Sequence, residues 1–147
     1  MEKAIIYIHG KNGSADEALH YSKLFPEDKV IGFDYKANTP WEAVEEFPTF
    51  FENVRKEYPN IILIATSIGA YFAINSLGNA QIEKAYFVSP IVNMEHLIMS
   101  MMQWAGVDES QLRGRKNIET SFGETLSIEY LDCVARRTVV FPLVQGS

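Results

Sequence analysis

The chain has 147 residues, of which 47% are hydrophobic and 22% are charged, and its formal net charge is −6. This is the composition of one ordinary globular domain with a sizeable core. The acidic balance and the absence of a Lys/Arg cluster argue against a nucleic-acid partner. No apolar run approaches the roughly 18 residues of a membrane span, and the apolar stretch near the N-terminus is too short for a signal peptide. We therefore expect no membrane association and a cytoplasmic location, which the single cysteine, Cys133, also favours.

The chain begins with a strand-like segment followed by a helix-like one. Residues 3–10, KAIIYIHG, form an isoleucine-rich run that a glycine ends, which predicts a buried strand. Ser14 precedes Glu17 by three positions, the spacing of a capping box, in which each side chain binds the backbone N–H of the other residue. The sequence therefore predicts a helix over residues 15–24.

The second strand-like segment, KVIGFDY at residues 29–35, also leads into a helix. Thr39 is placed to cap this helix, Pro40 occupies its first position, and Glu42 completes the spacing of another capping box. The helix is predicted to run toward Glu57, and Pro48 is expected to break or kink it on the way.

The third strand-like segment, NIILIATS at residues 60–67, is apolar on both faces, which is typical of a central strand covered by helices. A helix follows over 68–77, with Gly78 placed to end it. Residues 84–90, KAYFVSP, predict a fourth strand. This alternation of strands and helices predicts a parallel α/β sheet with right-handed crossovers.

The pattern changes after the fourth strand, where helical segments follow one another. A methionine-rich helix begins after Asn93, an Asp-x-x-Gln start lies at Asp108, and residues 127–137 form a further helix-like segment. Residues 113–124 between them are polar and loop-like. We predict one domain over 1–147, consisting of a core (1–90), a helical lid-like segment (91–136) and a possible last strand (137–147).

Ser67 stands where the third strand turns directly into a helix. A serine in such a place is commonly a helix cap. Here Ala65 and Gly69 flank it at two positions on either side, and small residues allow a sharp reversal of the chain. Such a reversal would hold the serine strained and exposed at the top of the sheet. The N–H of Ile68 would open the helix toward the same space, so that a nucleophile and an anion-stabilising donor lie side by side.

Two segments together resemble the α/β-hydrolase superfamily. Residues 65–70, ATSIGA, resemble its nucleophile elbow, G-x-S-x-G, and residues 7–14, YIHGKNGS, resemble its His-Gly oxyanion loop. The resemblance reaches from the start of the chain to about Pro90 and places the helical block where the family has its lid. It implies a mostly parallel sheet of about four to five strands flanked by helices.

The resemblance also implies site residues. Ser67 corresponds to the nucleophile, and the backbone N–H groups of Ile68 and Lys11 correspond to the oxyanion donors, which stabilise the charge that appears on the carbonyl oxygen during attack. His9 is similar to the structural histidine of the loop and not to a base. The supporting loop residues are His9, Gly10 and Gly69.

The sequence departs from the family pattern in two ways. Ala65 replaces the first glycine of the elbow, a change that the superfamily tolerates. The family places an acid and then a histidine after later strands, and we expect this chain to end before both positions. His96 in the first lid-like helix could in principle lean over Ser67, but it is more typical of a solvated histidine. His20 lies on a flank of the sheet, and Asp34 is more typical of loop structure.

Three functions follow from this reading. The first is a serine hydrolase acting on a small carboxylic ester or related acyl substrate through Ser67. The second is a truncated or degenerate, catalytically incomplete hydrolase-fold protein with a binding or oligomeric role, because an open sheet edge invites pairing with a second copy. The third, a flavodoxin-like binding domain with Ser67 as a phosphate-loop cap, fits less well, because the usual phosphate loop follows the first strand and is richer in Ser and Thr than residues 10–14, GKNGS. We expect a small-molecule acyl partner and no cofactor or metal, since the histidines and cysteine lack zinc-like spacing.

Overall fold

The structure is a computed structural model that describes residues 3–77, 82–91, 93–135 and 145–146. The described chain divides into two compact units. We call residues 3–91 together with 145–146 the sheet unit, and residues 93–135 the helical unit. The assignment of residues 1–147 to a single domain stays a prediction, as does the comparison of the second unit with a lid.

The strands within the described residues are β1 (Ala4–Ile8), β2 (Lys29–Gly32), β3 (Ile61–Thr66), β4 (Lys84–Val88), β5 (Asn117–Glu119), β6 (Thr125–Ser127) and β7 (Gln145–Gly146). Five of them form one sheet in the sheet unit, in the order β2-β1-β3-β4-β7, and every neighbouring pair is parallel. The other two, β5 and β6, form an antiparallel pair in the helical unit. This arrangement confirms the predicted mostly parallel α/β sheet.

The two central strands, β1 and β3, are buried along almost their whole length because both faces of the sheet are covered. On one face, Ile5 and Tyr7 of β1 pack with Ile62 and Ile64 of β3. Side chains alternate along a strand, so the intervening residues face the opposite side. The helices are α1 (Leu19–Ser22), α2 (Pro40–Glu57), α3 (Ile68–Leu77), α4 (Met94–Ala105), α5 (Glu109–Arg115) and α6 (Ile128–Ala135).

Helix α2 begins as the sequence predicts and ends at Glu57, where the sequence also predicts its end. The Thr39 side chain accepts a hydrogen bond from the N–H of Glu42, and Pro40 occupies the first turn. The Glu42 carboxylate accepts from the N–H of Asn38, one residue before the expected partner. Of the two outcomes expected at Pro48, the break is wrong, because α2 runs through this residue, although a proline inside a helix removes one backbone hydrogen bond. The kink stays a prediction.

The capping box predicted at Ser14 is wrong. The Ser14 side chain makes no capping hydrogen bond, and the expected helix over 15–24 is a 3-10 turn, Ala15–Ala18, followed by the single-turn α1. The Glu17 carboxylate instead accepts a hydrogen bond from the hydroxyl of Tyr7 on β1. A tertiary contact has therefore replaced the local one.

The helical unit starts with two helices whose capping residues were predicted. Asn93 accepts from the N–H of His96 at the start of α4, and Asp108 with Gln111 forms a complete capping box on α5. An ion pair joins α5 to α6, since Arg113 contacts Asp132 at 3.0 Å. The buried side chains of this unit are Met94, Ile98, Met102, Leu112, Leu126, Leu131 and Val134.

Residues 113–124, predicted as a loop, contain the end of α5 and the whole of β5. Strand β5 pairs with β6 in an antiparallel hairpin. The hairpin was missed because each of its strands has only three residues, too few for an alternating pattern to show. Gly123, with φ +88° in the connecting turn, was the available signal.

Gly78, which the sequence predicts to end α3, lies outside the described residues. Most of the possible last strand over 137–147 also lies outside them. Within that segment, Gln145–Gly146 pairs with β4 as the strand β7. Across the described ranges, no helix is long and apolar enough to cross a membrane.

Candidate functional site

The carboxyl ends of β1, β3 and β4 lie side by side at one edge of the sheet. The register pairs Ile8 with Ala65 and Thr66 with Val88, so the segments that follow these strands leave the sheet at the same level. In open α/β sheets, ligands bind outside the carboxyl ends of the strands. Among the described residues of the sheet unit, the non-glycine residues with positive φ all lie in these segments: Asn12, Ser67 and Ser89.

Ser67 occupies the single-residue turn between β3 and α3, as the sequence predicts. Its φ is +54°, in the left-handed region that costs a residue with a side chain about 1–2 kcal/mol. The surrounding backbone holds this conformation from both sides. The Ser67 N–H donates to the carbonyl of Val88 at 3.0 Å, and the Ser67 carbonyl accepts from Ala70 at 3.1 Å and Ile91 at 3.2 Å. The Ser67 side chain is partly exposed and not part of the core.

Gly69 lies where the start of α3 touches the end of β1. A Cβ at this position would overlap the carbonyl oxygen of His9 and lie 2.8 Å from Cγ2 of Ile8. The second small residue of the elbow is therefore required by close packing between α3 and β1. Ala65, which stands for the first glycine, is fully buried in β3 and paired with Ile8.

The predicted oxyanion loop follows β1 and lies against the elbow. A Cβ on Gly10 would be 3.1 Å from Cβ of Ser67, so the absence of a side chain permits this close approach. The loop then turns tightly, since the N–H of Gly13 donates to the carbonyl of Gly10 at 3.1 Å and Asn12 has φ +65°. We call residues 10–13 the glycine turn. Lys11 is its second residue and is exposed.

His9 is held in place by two neighbours. Its Nδ1 lies 2.8 Å from the carbonyl oxygen of Gly10, and because a carbonyl only accepts, Nδ1 carries a proton. The imidazole stacks on the Tyr35 ring with a centroid distance of 4.4 Å. The Tyr35 hydroxyl donates to the His9 carbonyl at 2.8 Å, and burial raises the pKa of Tyr35 to about 12. These contacts hold the imidazole in place, and the structural role implied for His9 stays a prediction.

The sequence did not indicate the roles of three residues beside the site. Tyr35 contacts His9, and Tyr7 binds Glu17. Tyr7 is 3% exposed, and its hydroxyl donates to Glu17 at 2.6 Å. Burial and this hydrogen bond raise the pKa of Tyr7 to about 12. No sequence signal marks these contacts, because they join residues on different elements.

The other titratable residues considered from the sequence are divided between the two units, with His20 and Asp34 in the sheet unit and His96 and Cys133 in the helical unit. His20 is exposed on α1, and Asp34 is exposed and paired with Lys36 at 3.1 Å. His96 is exposed at the start of α4 in the helical unit, and Cys133 is half-buried on α6. Within the described ranges, no three or more His, Cys, Asp or Glu side chains are grouped to hold a metal ion.

Comparison with solved structures gives α/β-hydrolases and esterases. An extracellular α/β-hydrolase from a Paenibacillus species matches with a TM-score of 0.56 and 15% identity, over 82% of this chain and 56% of that one. An esterase from Pyrococcus furiosus matches with a TM-score of 0.53 and 18% identity, over 90% of this chain and 57% of that one. At these identities the likeness shows the α/β-hydrolase fold, the fold that the two motifs indicated.

One similarity at the level of sequence points the same way. A Mycoplasma genitalium protein described as esterase/lipase 3 is 37% identical over 75 residues, which are 49% of this chain and 27% of that protein. No protein-family model matches the chain. This chain therefore spans about a quarter of the length of that relative, and just over half of the length of the two structures.

Proposed function

We propose that this chain, which has the α/β-hydrolase fold, is a serine hydrolase that cleaves a small carboxylic ester or related acyl substrate through Ser67. The observation that carries the proposal is the left-handed backbone of Ser67, at φ +54°, directly beside the glycine turn. Strained residues persist where the surrounding structure over-determines them, and they cluster at active sites. Three backbone hydrogen-bonding partners, Val88, Ala70 and Ile91, and a close glycine are more than a simple helix cap requires.

The proposed chemistry uses the geometry at the end of β3. The Ser67 hydroxyl loses its proton to a general base as its oxygen attacks the acyl carbon, and the carbonyl oxygen becomes an oxyanion. The N–H groups of Ile68, the first residue of α3, and of Lys11 would donate to it. The intermediate then expels the alcohol, which takes the proton, and water hydrolyses the acyl-serine. Loss of one such donor typically costs about 2.7–4 kcal/mol of transition-state stabilisation.

Labelling with a fluorophosphonate probe tests this proposal. We expect a phosphonyl adduct on Ser67 by peptide mass spectrometry, together with turnover of p-nitrophenyl butyrate. Ser67→Ala should abolish both, because a lone nucleophile has no substitute. Ser89→Ala is the matched control, since Ser89 is also an exposed serine with positive φ (+47°) at a strand end. An adduct that survives Ser67→Ala, or one placed on Ser89, would overturn the assignment of Ser67.

A second candidate, the catalytically incomplete hydrolase fold with a binding or oligomeric role, is favoured by one observation. The chain contains three histidines, and among them the His9 ring is already engaged by Gly10 and Tyr35. A serine without a base is a weak nucleophile. This alternative predicts no adduct and no turnover on a folded sample. It also predicts a homo-oligomer that pairs through a sheet edge, such as that of β2, which light scattering would detect.

A further inference from the structure

We propose that Glu17 and Tyr7 are positioning residues, which hold the glycine turn, and the Lys11 amide within it, against Ser67. The inference deepens the proposed hydrolase function and rests on it for the catalytic consequence. It starts from a carboxylate that the local sequence assigned to a helix cap and that the fold uses elsewhere.

The contact between Tyr7 and Glu17 is short and protected. The Tyr7 hydroxyl lies 2.6 Å from Oε1 of Glu17, and the Tyr7 side chain is 3% exposed. Hydrogen bonds from a hydroxyl to a carboxylate are about twice as strong as those between neutral groups. On its other side, the Tyr7 hydroxyl oxygen lies 3.4 Å from the hydroxyl of Thr66, the residue directly before Ser67. The Glu17 carboxylate is thereby tied to both central strands close to the elbow.

The glycine turn lies between this carboxylate and Ser67. At one end, a Cβ on Gly13 would lie 2.9 Å from Oε2 of Glu17. At the other end, a Cβ on Gly10 would lie 3.1 Å from Cβ of Ser67. The turn between them is closed by the hydrogen bond from the Gly13 N–H to the Gly10 carbonyl. A shift of the carboxylate therefore frees one end of the turn, while the other end stays against the nucleophile.

The consequence concerns the position of one backbone donor. Lys11 is the second of the four residues in the turn, so its amide direction depends on where both ends of the turn are held. A misplacement of about 1 Å in a catalytic group can cost about 100-fold in rate. Without the Tyr7 hydroxyl, the partly buried carboxylate loses its donor and is expected to move toward water. The turn would then loosen while the strands and Ser67 stay in place.

The experiment compares five variants of the full chain, four single and one double. Tyr7→Phe and Glu17→Ala should each lower kcat for p-nitrophenyl butyrate by about 10- to 100-fold and change KM by less than about threefold. Glu17→Gln keeps an oxygen that accepts from Tyr7, and it should stay within about threefold of the unmodified chain. Tyr21→Phe is the matched control, because the Tyr21 ring stacks on Tyr7 at 5.2 Å and the substitution keeps that contact. The double variant Tyr7→Phe/Glu17→Ala should be no worse than either single variant.

Amide hydrogen exchange of residues 10–13 supplies a readout that is independent of catalysis. Exchange should rise about tenfold in Tyr7→Phe and Glu17→Ala, with no such rise in Glu17→Gln or Tyr21→Phe. Unchanged exchange in Tyr7→Phe, or failure of Glu17→Gln to restore kcat, overturns the proposal. If the unmodified chain shows neither probe adduct nor turnover, the hydrolase function fails by itself, and the exchange result still decides whether Tyr7 and Glu17 hold the turn.

Discussion

The glycines of the sheet unit and those of the helical unit serve different physical purposes. In the sheet unit, a Cβ on Gly32 or Gly69 would overlap backbone atoms of Ala15 or His9. In the helical unit, a Cβ on Gly106, Gly114 or Gly123 would meet nothing within 4 Å. Glycine in the first unit lets segments approach one another, whereas Gly106 and Gly123 provide the positive φ of a helix end and a turn.

This difference indicates at which glycines the fold can accommodate a side chain. The strand ends of the sheet unit combine close backbone contact with strained serines, so a single methyl group there has no space to occupy. The helical unit is built from capped helices and a short hairpin whose connections face open space. A glycine-to-alanine substitution should therefore cost much more stability at the strand ends of the sheet unit than in the helical unit.

Gly69→Ala should have the largest effect. The added methyl would overlap the His9 carbonyl, and because this neighbour is backbone in a buried strand end, relief requires moving α3 away from β1. We expect the free energy of unfolding, measured by urea denaturation, to fall by more than about 3 kcal/mol, at the upper end for overpacking. A loss below about 0.5 kcal/mol, which is typical of surface positions, would contradict the required close approach.

Ser67→Gly should have a smaller effect of opposite sign. Glycine removes about 1–2 kcal/mol of strain at φ +54° from the folded state. Its greater conformational freedom stabilises the unfolded chain by about 0.5–1 kcal/mol, which offsets part of that gain. We expect the free energy of unfolding to rise by about 0.5–1 kcal/mol, while reaction with the fluorophosphonate probe is lost. Ser100→Gly inside α4 is the control, and it should destabilise by about 0.5 kcal/mol. Destabilisation by Ser67→Gly would show that the serine is not strained.

Gly114→Ala should have the smallest effect. Gly114 lies inside α5, has ordinary helical φ and faces open space, so alanine gains helix propensity without a clash. Gly114 is the residue before the last one of α5, where helix propensity counts for less than in the middle of a helix. We therefore expect the substitution to stabilise the fold by about 0.5 kcal/mol, measured as a higher thermal midpoint. Gly106→Ala is the comparison, because at φ +71° the same substitution should cost about 1 kcal/mol despite equal space. Equal effects of the two would contradict the assigned roles.

Most of the local structure could be predicted because its causes are local. The isoleucine-rich runs gave β1 and β3, and the capping residues Thr39, Asn93 and Asp108 lie next to the N–H groups that they bind. The position of Ser67 could also be predicted, since strand, serine and helix follow one another directly along the chain. Its catalytic role stays a proposal.

The predictions that failed depended on partners from distant parts of the chain. Ser14 and Glu17 have the spacing of a capping box, but the Glu17 carboxylate accepts a hydrogen bond from the hydroxyl of Tyr7 on β1 instead. The hydrogen bond between Glu17 and Tyr7 depends on how the connection between β1 and β2 packs against the sheet. The spacing of residues along the sequence does not predict that packing. The contact between Tyr35 and His9 is of the same kind.

The sequence by itself determined that an apolar strand ends on a serine between small residues, and that another strand ends on His-Gly. The tertiary structure alone decided that Gly10 lies against Ser67, that Gly69 packs against the end of β1, and that the Glu17 carboxylate lies beside Gly13. The physical reason is that periodicity and capping act over a few residues. Close backbone approach is set by the register of β1 on β3, which brings together residues more than fifty positions apart.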